Sequence, residues 1–332
     1  MKPVRWGVIS TARIGVEKVL PGMIKSKQID MLAIGSRDIK LARKWAKKLG
    51  IPRAYGSYEE LLADPDIEAI YNPLPNHLHV PMTLAAVQAG KHVLCEKPIA
   101  ITAAEAEQLR TLPNDRLVGE AFMVRHHPQW IEARKRVKAG QIGEVRAIQM
   151  GFSYFLLDPD NVRNKADIGG GGILDIGCYP VVIARYIFDA EPVRAFAQID
   201  RDPAMKTDRL VSAIVDFGGG RRLDFTISTQ LVAHQRIDIL GTKGRIEVPV
   251  PVNAPQGKAT KLRLDKGATL GGTTAKTIPI KAADQYQLQG EAFGKAVRGL
   301  APLGYGVEDA IKQMRVLDAL FRSGESGRWE NV

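Results

Sequence analysis

Cysteine is scarce in this chain, with two residues, Cys95 and Cys178, in a length of 332. That excludes a scaffold of disulfide staples; the two could pair with each other, yet each sits in a motif suited to a reduced cytosolic enzyme. Histidine is sparse too, six in all. His77 and His79 lie two apart and His126 and His127 are adjacent. Neither pair comes with a third donor at ligand spacing, so no metal site is expected. No apolar run is expected to span a bilayer. The chain passes from Met1-Lys2-Pro3 straight into the strand-like Val4-Arg-Trp-Gly-Val-Ile9, without the apolar core and cleavage site of a secretory signal. A cytoplasmic protein free of membrane association is therefore expected. Internal repeats and low-complexity linkers are missing as well.

Acidic residues are outnumbered, 36 against 47 basic, for a formal net charge of +11. Such an excess suits a polyanionic partner, but its distribution does not. The densest cluster, Lys40 to Lys48, has helical spacing without interleaved aromatic residues to stack on bases. It reads as a solvated helix face, so no nucleic-acid partner is expected, while the positive field favours a phosphorylated cofactor. At 45% hydrophobic and 25% charged, the composition is that of an ordinary globular protein. The length exceeds what one hydrophobic core serves, and two domains are expected.

Strand and helix patterns alternate up to about residue 121. Strands are predicted at Val4–Ser10, Met31–Ser36, Ala69–Asn72, His92–Glu96 and Leu117–Phe122. Helices are predicted at Gly15–Lys25, Ile39–Leu49, Tyr58–Ala63, Val80–Ala89 and Ala103–Thr111. This alternation implies parallel strands with crossover helices, an α/β doubly wound Rossmann domain over residues 1–121. After a helix at Trp130–Ala139 come strands at Val145–Tyr154, Val193–Ile199, Val211–Phe217, Arg222–Gln230, Arg236–Leu240 and Gly244–Val248. They predict an α+β domain over 122–282 with a large, mostly antiparallel open sheet. Helices at Tyr286–Arg298 and Val307–Ser323 close the chain, and residues 283–332 are expected to pack back on the first domain. Helical sequence to cover the second sheet face is limited, so that face is expected to be buried in a homodimer or a dimer of dimers.

Two segments carry the chemistry. Ala89-Gly-Lys-His-Val-Leu-Cys-Glu96-Lys97-Pro98 places Lys97 at the carboxyl end of a buried strand, where an open parallel sheet presents its ligand site. Gly169-Gly-Gly-Gly-Ile-Leu-Asp175-Ile-Gly-Cys-Tyr179-Pro180 sets an acid and a phenol four residues apart, on one side of a predicted helix. Oxidising a hydroxyl group requires a base for the O–H proton while hydride leaves the same carbon. A phenol, with a pKa near ~10, serves at neutral pH only if a cation stabilises its phenolate. Lys97 supplies such a cation.

The first strand-to-helix turn reads Ser10-x-Ala12-x-x-Gly15 in place of Gly-x-Gly-x-x-Gly. Within Ser10, Thr11, Ala12, Arg13 and Ile14, the small residues permit close approach of a pyrophosphate, and the helix start offers N–H donors. The second strand ends in Gly35-Ser36-Arg37, without the acid that an NAD site uses on the ribose. Arg37 can fork onto a 2′-phosphate and Ser36 can add a donor, while Asp38 is expected to cap the next helix. NADP is the expected cofactor, with NAD as the alternative.

The lysine segment, preceded by Asn72-Pro-Leu-Pro-Asn-His77, resembles the signature of the Gfo/Idh/MocA oxidoreductases. The likeness runs on through Glu120-Ala-Phe-Met-Val-Arg125-His-His-Pro128, Gly140-Gln-Ile-Gly-Glu144, Arg163, the glycine run with Asp175 and Tyr179, and the terminal helix Ala310–Leu320. Many members carry histidine where this chain has Tyr179; tyrosine there is similar to the branch of dimeric dihydrodiol dehydrogenase, NADP-dependent D-xylose 1-dehydrogenase and glucose–fructose oxidoreductase. The resemblance implies an NADP-dependent oxidoreductase of a sugar or polyol, first of all C1 oxidation of an aldopyranose of the xylose or glucose type to a lactone. Trans-dihydrodiol oxidation or reduction of a dicarbonyl or anhydro-sugar ketone is the enzymatic alternative, and a dinucleotide-sensing regulator the non-enzymatic one. It also implies Lys97 and Tyr179 as the catalytic pair, Asp175 on substrate hydroxyls, Arg125 at the substrate, and Pro73, Asn76, His77, Glu96 and Arg163 at the cofactor. Val124 stands where relatives often have tyrosine and Asn164 where they often have tryptophan, which implies one altered wall of the sugar pocket.

Overall fold

The structure, a computed structural model, describes residues 2–332. The chain divides into two compact units, Met1–Met123 with Asp284–Ile311, and Val124–Ala283 with Lys312–Val332.

In the first unit six parallel strands form one sheet: β1 (Val4–Ile9), β2 (Ile29–Gly35), β3 (Arg53–Tyr55), β4 (Ala69–Asn72), β5 (His92–Cys95) and β6 (Val118–Glu120). Their order is β3-β2-β1-β4-β5-β6. The crossovers are a wide helical turn, Gly15–Val19, running into α1 (Leu20–Met23), then α2 (Ile39–Leu49), α3 (Tyr58–Ala63), α4 (His79–Gln88) and α5 (Ala103–Glu107). Val4, Trp6, Val8, Ile9, Ile70, Tyr71, Val93 and Leu94 are fully buried, as strands covered on both faces require. Helix starts are written locally: Asp38, Ser57 and Thr102 each accept a backbone N–H from the first turn of the helix that follows. Strand order reverses between β1 and β4, the switch point at whose carboxyl edge open α/β sheets hold ligands.

The second unit opens with α6 (Pro128–Lys138) and contains α7 (Cys178–Phe188). Its sheet comprises β7 (Val145–Phe155), β8 (Arg194–Arg201), β9 (Asp208–Asp216), β10 (Arg222–Ser228), β11 (Gln230–Gly241), β12 (Gly244–Val248), β13 (Lys258–Asp265), β14 (Lys276–Ala283) and β15 (Glu330–Asn331). The order is β14-β13-β12-β11-β7-β10-β9-β8-β15, antiparallel throughout except for β7 with β10. Helix α7 packs on β7 and β10, and α6 on β13 and β14. Phe155, Leu157, Leu231 and Val232 remain exposed.

Two helices complete the chain, α8 (Gln285–Val297) and α9 (Val307–Ser326). Helix α8 belongs to the first unit, where Phe293 stacks at 5.4 Å on Trp6. Just beyond it Arg298 grips both Glu68 oxygens at 2.8 and 2.9 Å, which holds that carboxyl down at about 2. From Lys312 onward the chain belongs to the second unit. Gln313 donates to the Cys178 carbonyl, the Ser323 hydroxyl accepts from Ala197 N–H, and β15 pairs with β8. The expectation that all of 283–332 packs on the dinucleotide domain is thereby corrected: only Asp284–Ile311 does.

A second correction concerns apolar length. The helical stretch Ala166–Phe188 is long and apolar enough to cross a membrane, contrary to the expectation above, but 83% of its most apolar window is buried within the protein, as in a core helix. Both cysteines are buried and free.

Candidate active site

The turn after β1 has the backbone of a dinucleotide turn despite lacking its glycines. Ser10 adopts φ +96°, the left-handed region that favours glycine, and its hydroxyl accepts the Ala12 N–H at 3.0 Å. The helix that follows begins at Arg13, directly after this turn, and directs its amino end to where a phosphate would lie. Thr11, Ala12 and Ile14 are partly exposed, and Arg13 is spent on Glu17 at 2.8 Å. At the end of β2 the Asp38 carboxylate accepts from Lys40 and Leu41 N–H and is committed to α2. Ser36 is buried and accepts from Asp38 N–H, whereas Arg37 is exposed and, among the described residues, has no partner. These residues fit a dinucleotide: an open helix start for the pyrophosphate and an uncommitted guanidinium beyond β2.

The ends of β4 and β5 supply the rest of the first unit's site. Asn72 accepts from Leu74 N–H and donates to the His79 carbonyl, shaping the loop that carries Pro73, Asn76 and His77. His77 Nδ1 is buried without a protein partner. Glu96 accepts the Tyr71 phenol at 2.7 Å, while burial and that carboxylate push the Tyr71 pKa well up. Lys97 follows, partly buried, joined to Pro98 by a cis peptide bond, and Ile99 N–H is held by Glu120 at 2.8 Å. Lys97 thus stands at the carboxyl edge of the parallel sheet.

In the second unit Asp175 lies in a wide helical turn, Ile173–Gly177, and Tyr179 in the first turn of α7. One oxygen of Asp175 accepts both the Tyr154 phenol at 2.6 Å and Arg163 Nε at 3.1 Å. Arg163, expected at the cofactor, is thus ion-paired with Asp175. Its guanidinium is kept charged first by Asp175, and Tyr179 is within its electrostatic reach. Tyr154 is held neutral, its pKa raised chiefly by burial and then by Asp175. Arg125 occupies the short helical turn Met123–His126. Asn164 is buried and donates to the Leu156 and Asp158 carbonyls, and Val124 is buried.

The glycine run has a physical cause that sequence reading missed, Asp208. Its carboxylate accepts Ile173 N–H at 2.5 Å and lies where a side chain on Gly171 would be, and Gly171 adopts φ +119°. A Cβ on Gly170 would stand 2.6 Å from the Lys165 carbonyl oxygen and 2.7 Å from that of Arg163. Gly171 N–H also donates to the Arg163 carbonyl, and its own carbonyl accepts Asp175 N–H. The run thus fixes Arg163 and Asp175 relative to each other. Burial raises the Asp208 pKa to about 6. The folded state then binds the proton more tightly than the unfolded chain, so this group's contribution to stability is present below pH ~4 and lost as pH rises to about 6. Asp208→Asn should lack that loss, so the difference in stability between wild type and variant, measured by denaturation from pH 4 to 7, should change by about 3 kcal/mol. A parallel pair of curves would show that Asp208 titrates normally.

Sequence reading gave no role to Tyr154 or Asp208, which belong to no recognisable motif, nor to Glu120, although it opens one of the segments that carry the family likeness. No group of three or more metal-ligating side chains occurs among the described residues.

A dinucleotide-type turn with Ser10 in the left-handed region, a lysine at the edge of a parallel sheet, and an ion-paired acid near a phenol define the class of two-unit, nicotinamide-dependent oxidoreductases. Residues 4–126 match the model of an oxidoreductase family with an NAD-binding Rossmann fold, and 130–247 that of the GFO/IDH/MocA C-terminal domain. The chain belongs to the Gfo/Idh/MocA oxidoreductases. It is 46% identical to an uncharacterized oxidoreductase of Rhizobium meliloti over the full length of both. It is 35% identical to D-xylose 1-dehydrogenase (NADP(+)) 2 of Haloferax volcanii, covering 97% of this chain and 98% of that one. A crystallised 3-ketoreductase from Actinomadura kijaniata, in complex with NADP and TDP-benzene, superposes with a TM-score of 0.89 at 28% identity, over 97% of this chain and 98% of that one.

Proposed function

We propose that this protein is an NADP-dependent dehydrogenase that oxidises C1 of an aldopyranose of the xylose or glucose type to the lactone. The observation that carries the reading is Asp175, ion-paired to Arg163 and four residues from Tyr179, a carboxylate to hold sugar hydroxyls beside a phenol to take a proton. Whole-length likeness to an NADP-dependent D-xylose 1-dehydrogenase supports it.

In this mechanism Asp175, oriented by Tyr154 and Arg163, binds hydroxyls of the ring. Tyr179 accepts the proton from the C1 hydroxyl as the C–O bond becomes a carbonyl, with Lys97 stabilising the phenolate. Bound NADP⁺ supplies the acceptor for the hydride leaving C1. Ser10, Thr11, Ala12 and the open helix start hold the pyrophosphate, and Ser36 and Arg37 the 2′-phosphate.

Turnover of aldoses with NADP⁺ and NAD⁺, followed by absorbance of the reduced nicotinamide, tests the reading; no aldose oxidised with either cofactor refutes it. Likeness to the 3-ketoreductase favours a second reading, carbonyl reduction on a sugar by the same residues, which the reverse assay with NADPH and ketosugars would reveal. Cofactor choice rests on Arg37. Arg37→Ala should raise the NADP⁺ dissociation constant ~10-fold while leaving NAD⁺ nearly unchanged. Equal weakening of the two would move the 2′-phosphate contact elsewhere.

A further inference from the structure

His79, the first residue of α4, is 1% exposed, and each ring nitrogen faces a backbone carbonyl oxygen. Nδ1 lies 2.6 Å from Pro98 O, and Nε2 2.7 Å from Leu74 O. Those carbonyls belong to the two loops that build the first unit's site: Pro98 directly follows Lys97, and Leu74 lies between Pro73 and Asn76. The other groups flanking Lys97 are also tied down, Glu96 by Tyr71 and Ile99 by Glu120, which leaves the Pro98 carbonyl to His79. Burial first, with the charge of Lys97 adding to it, pulls the His79 pKa down to about 4. At neutral pH the ring therefore carries one proton, and a neutral imidazole donates from one nitrogen only. Both contacted atoms are carbonyl oxygens, which only accept, so the one ring N–H serves one of the two loops.

We propose that His79 is the positioning residue for Lys97, donating its Nδ1–H to the carbonyl oxygen of Pro98 and so fixing the backbone from which the lysine projects. The inference rests on the proposed role of Lys97. An isolated buried histidine is costly to maintain unless its hydrogen bonds define a geometry, and misplacing a catalytic group by about 1 Å costs ~10²-fold in rate.

Two amide variants separate the two carbonyls. In His79→Asn the amide nitrogen takes the place of Nδ1 and keeps the bond to Pro98. In His79→Gln it reaches towards Leu74 and gives Pro98 up. His79→Gln should lower kcat ~10–100-fold with NADP⁺ affinity nearly unchanged. His79→Asn should keep kcat within ~3-fold and leave the NADP⁺ dissociation constant within about 2-fold, because in the proposed tautomer the ring gives no N–H to Leu74. The opposite split overturns the proposal. In the Lys97→Met background, His79→Gln should cost less than ~3-fold more, because one acts through the other; multiplying losses overturn the proposal while leaving the role of Lys97 intact. Full turnover in Lys97→Met alone refutes the proposed function and this inference with it. Wild-type protein gives a reading that needs no variant to fold. With nitrogen-labelled histidine and carbonyl-labelled proline, a coupling across the hydrogen bond from His79 Nδ1 to the Pro98 carbonyl should be seen, and a ring protonated at Nε2 overturns the assignment.

Discussion

Tyr179→Phe is expected to fold and bind NADP⁺ like the wild type, yet to turn over its best aldose ~10²–10⁴-fold more slowly, the usual worth of general acid–base catalysis. Tyr179 is 6% exposed and its ring lies 6.2 Å from that of Phe152, contacts that phenylalanine keeps. What the variant loses is the oxygen. Lys97→Met should impair turnover comparably, and the double variant should lose far less than the product of the two, since residues acting as one unit are not additive. The acidic limb of the pH–rate profile should move upward in Lys97→Met, a phenol deprived of its cation holding its proton to higher pH. Near-normal turnover in Tyr179→Phe would reduce the tyrosine to packing and assign the proton to another acceptor.

Gly171→Ala should strongly destabilise the second unit. A non-glycine residue held at φ +119° costs ~1–3 kcal/mol in backbone strain. Forcing the methyl into the space of the Asp208 carboxylate costs a further ~1–3 kcal/mol. Thermal or urea unfolding should register a loss of ~2–6 kcal/mol in all, a large fraction of the stability of an ordinary domain. The clash has a named partner, so Asp208→Gly in the same chain should recover part of the loss, whereas the strain at φ +119° should remain. A Gly171→Ala protein as stable as the wild type would show that the glycine run is not held by Asp208.

The parts of the fold and site that sequence reading located are those fixed by local chemistry. Lys97 was placed by the rule that parallel sheets present their carboxyl ends, Asp38 by helix capping, and four of the first five strand–helix pairs by apolar period. Tyr154, Asp208 and His79 were invisible because each acts across the fold: their partners lie 21, 35 and 19 residues away, and nothing local announces the pairing. Strands β13 and β14 offer one short apolar alternation each, Leu262-Arg-Leu264 and Ile278-Pro-Ile280, among lysines and exposed residues, and β3 and β15 are too short to give a period. The apolar stretch 166–188 was overlooked for the opposite reason: glycines and Asp175 interrupt a segment whose surroundings are nevertheless apolar on nearly every side.

That buried helix also sets a problem for biosynthesis. One of the strands that cover α7 is β10, which is made after it. At ~5–20 residues per second, the ribosome leaves the most apolar helix of the chain without that cover for some seconds. In that interval its apolar surface is open as in a folding intermediate, and association with other unfinished chains competes with the arrival of β10.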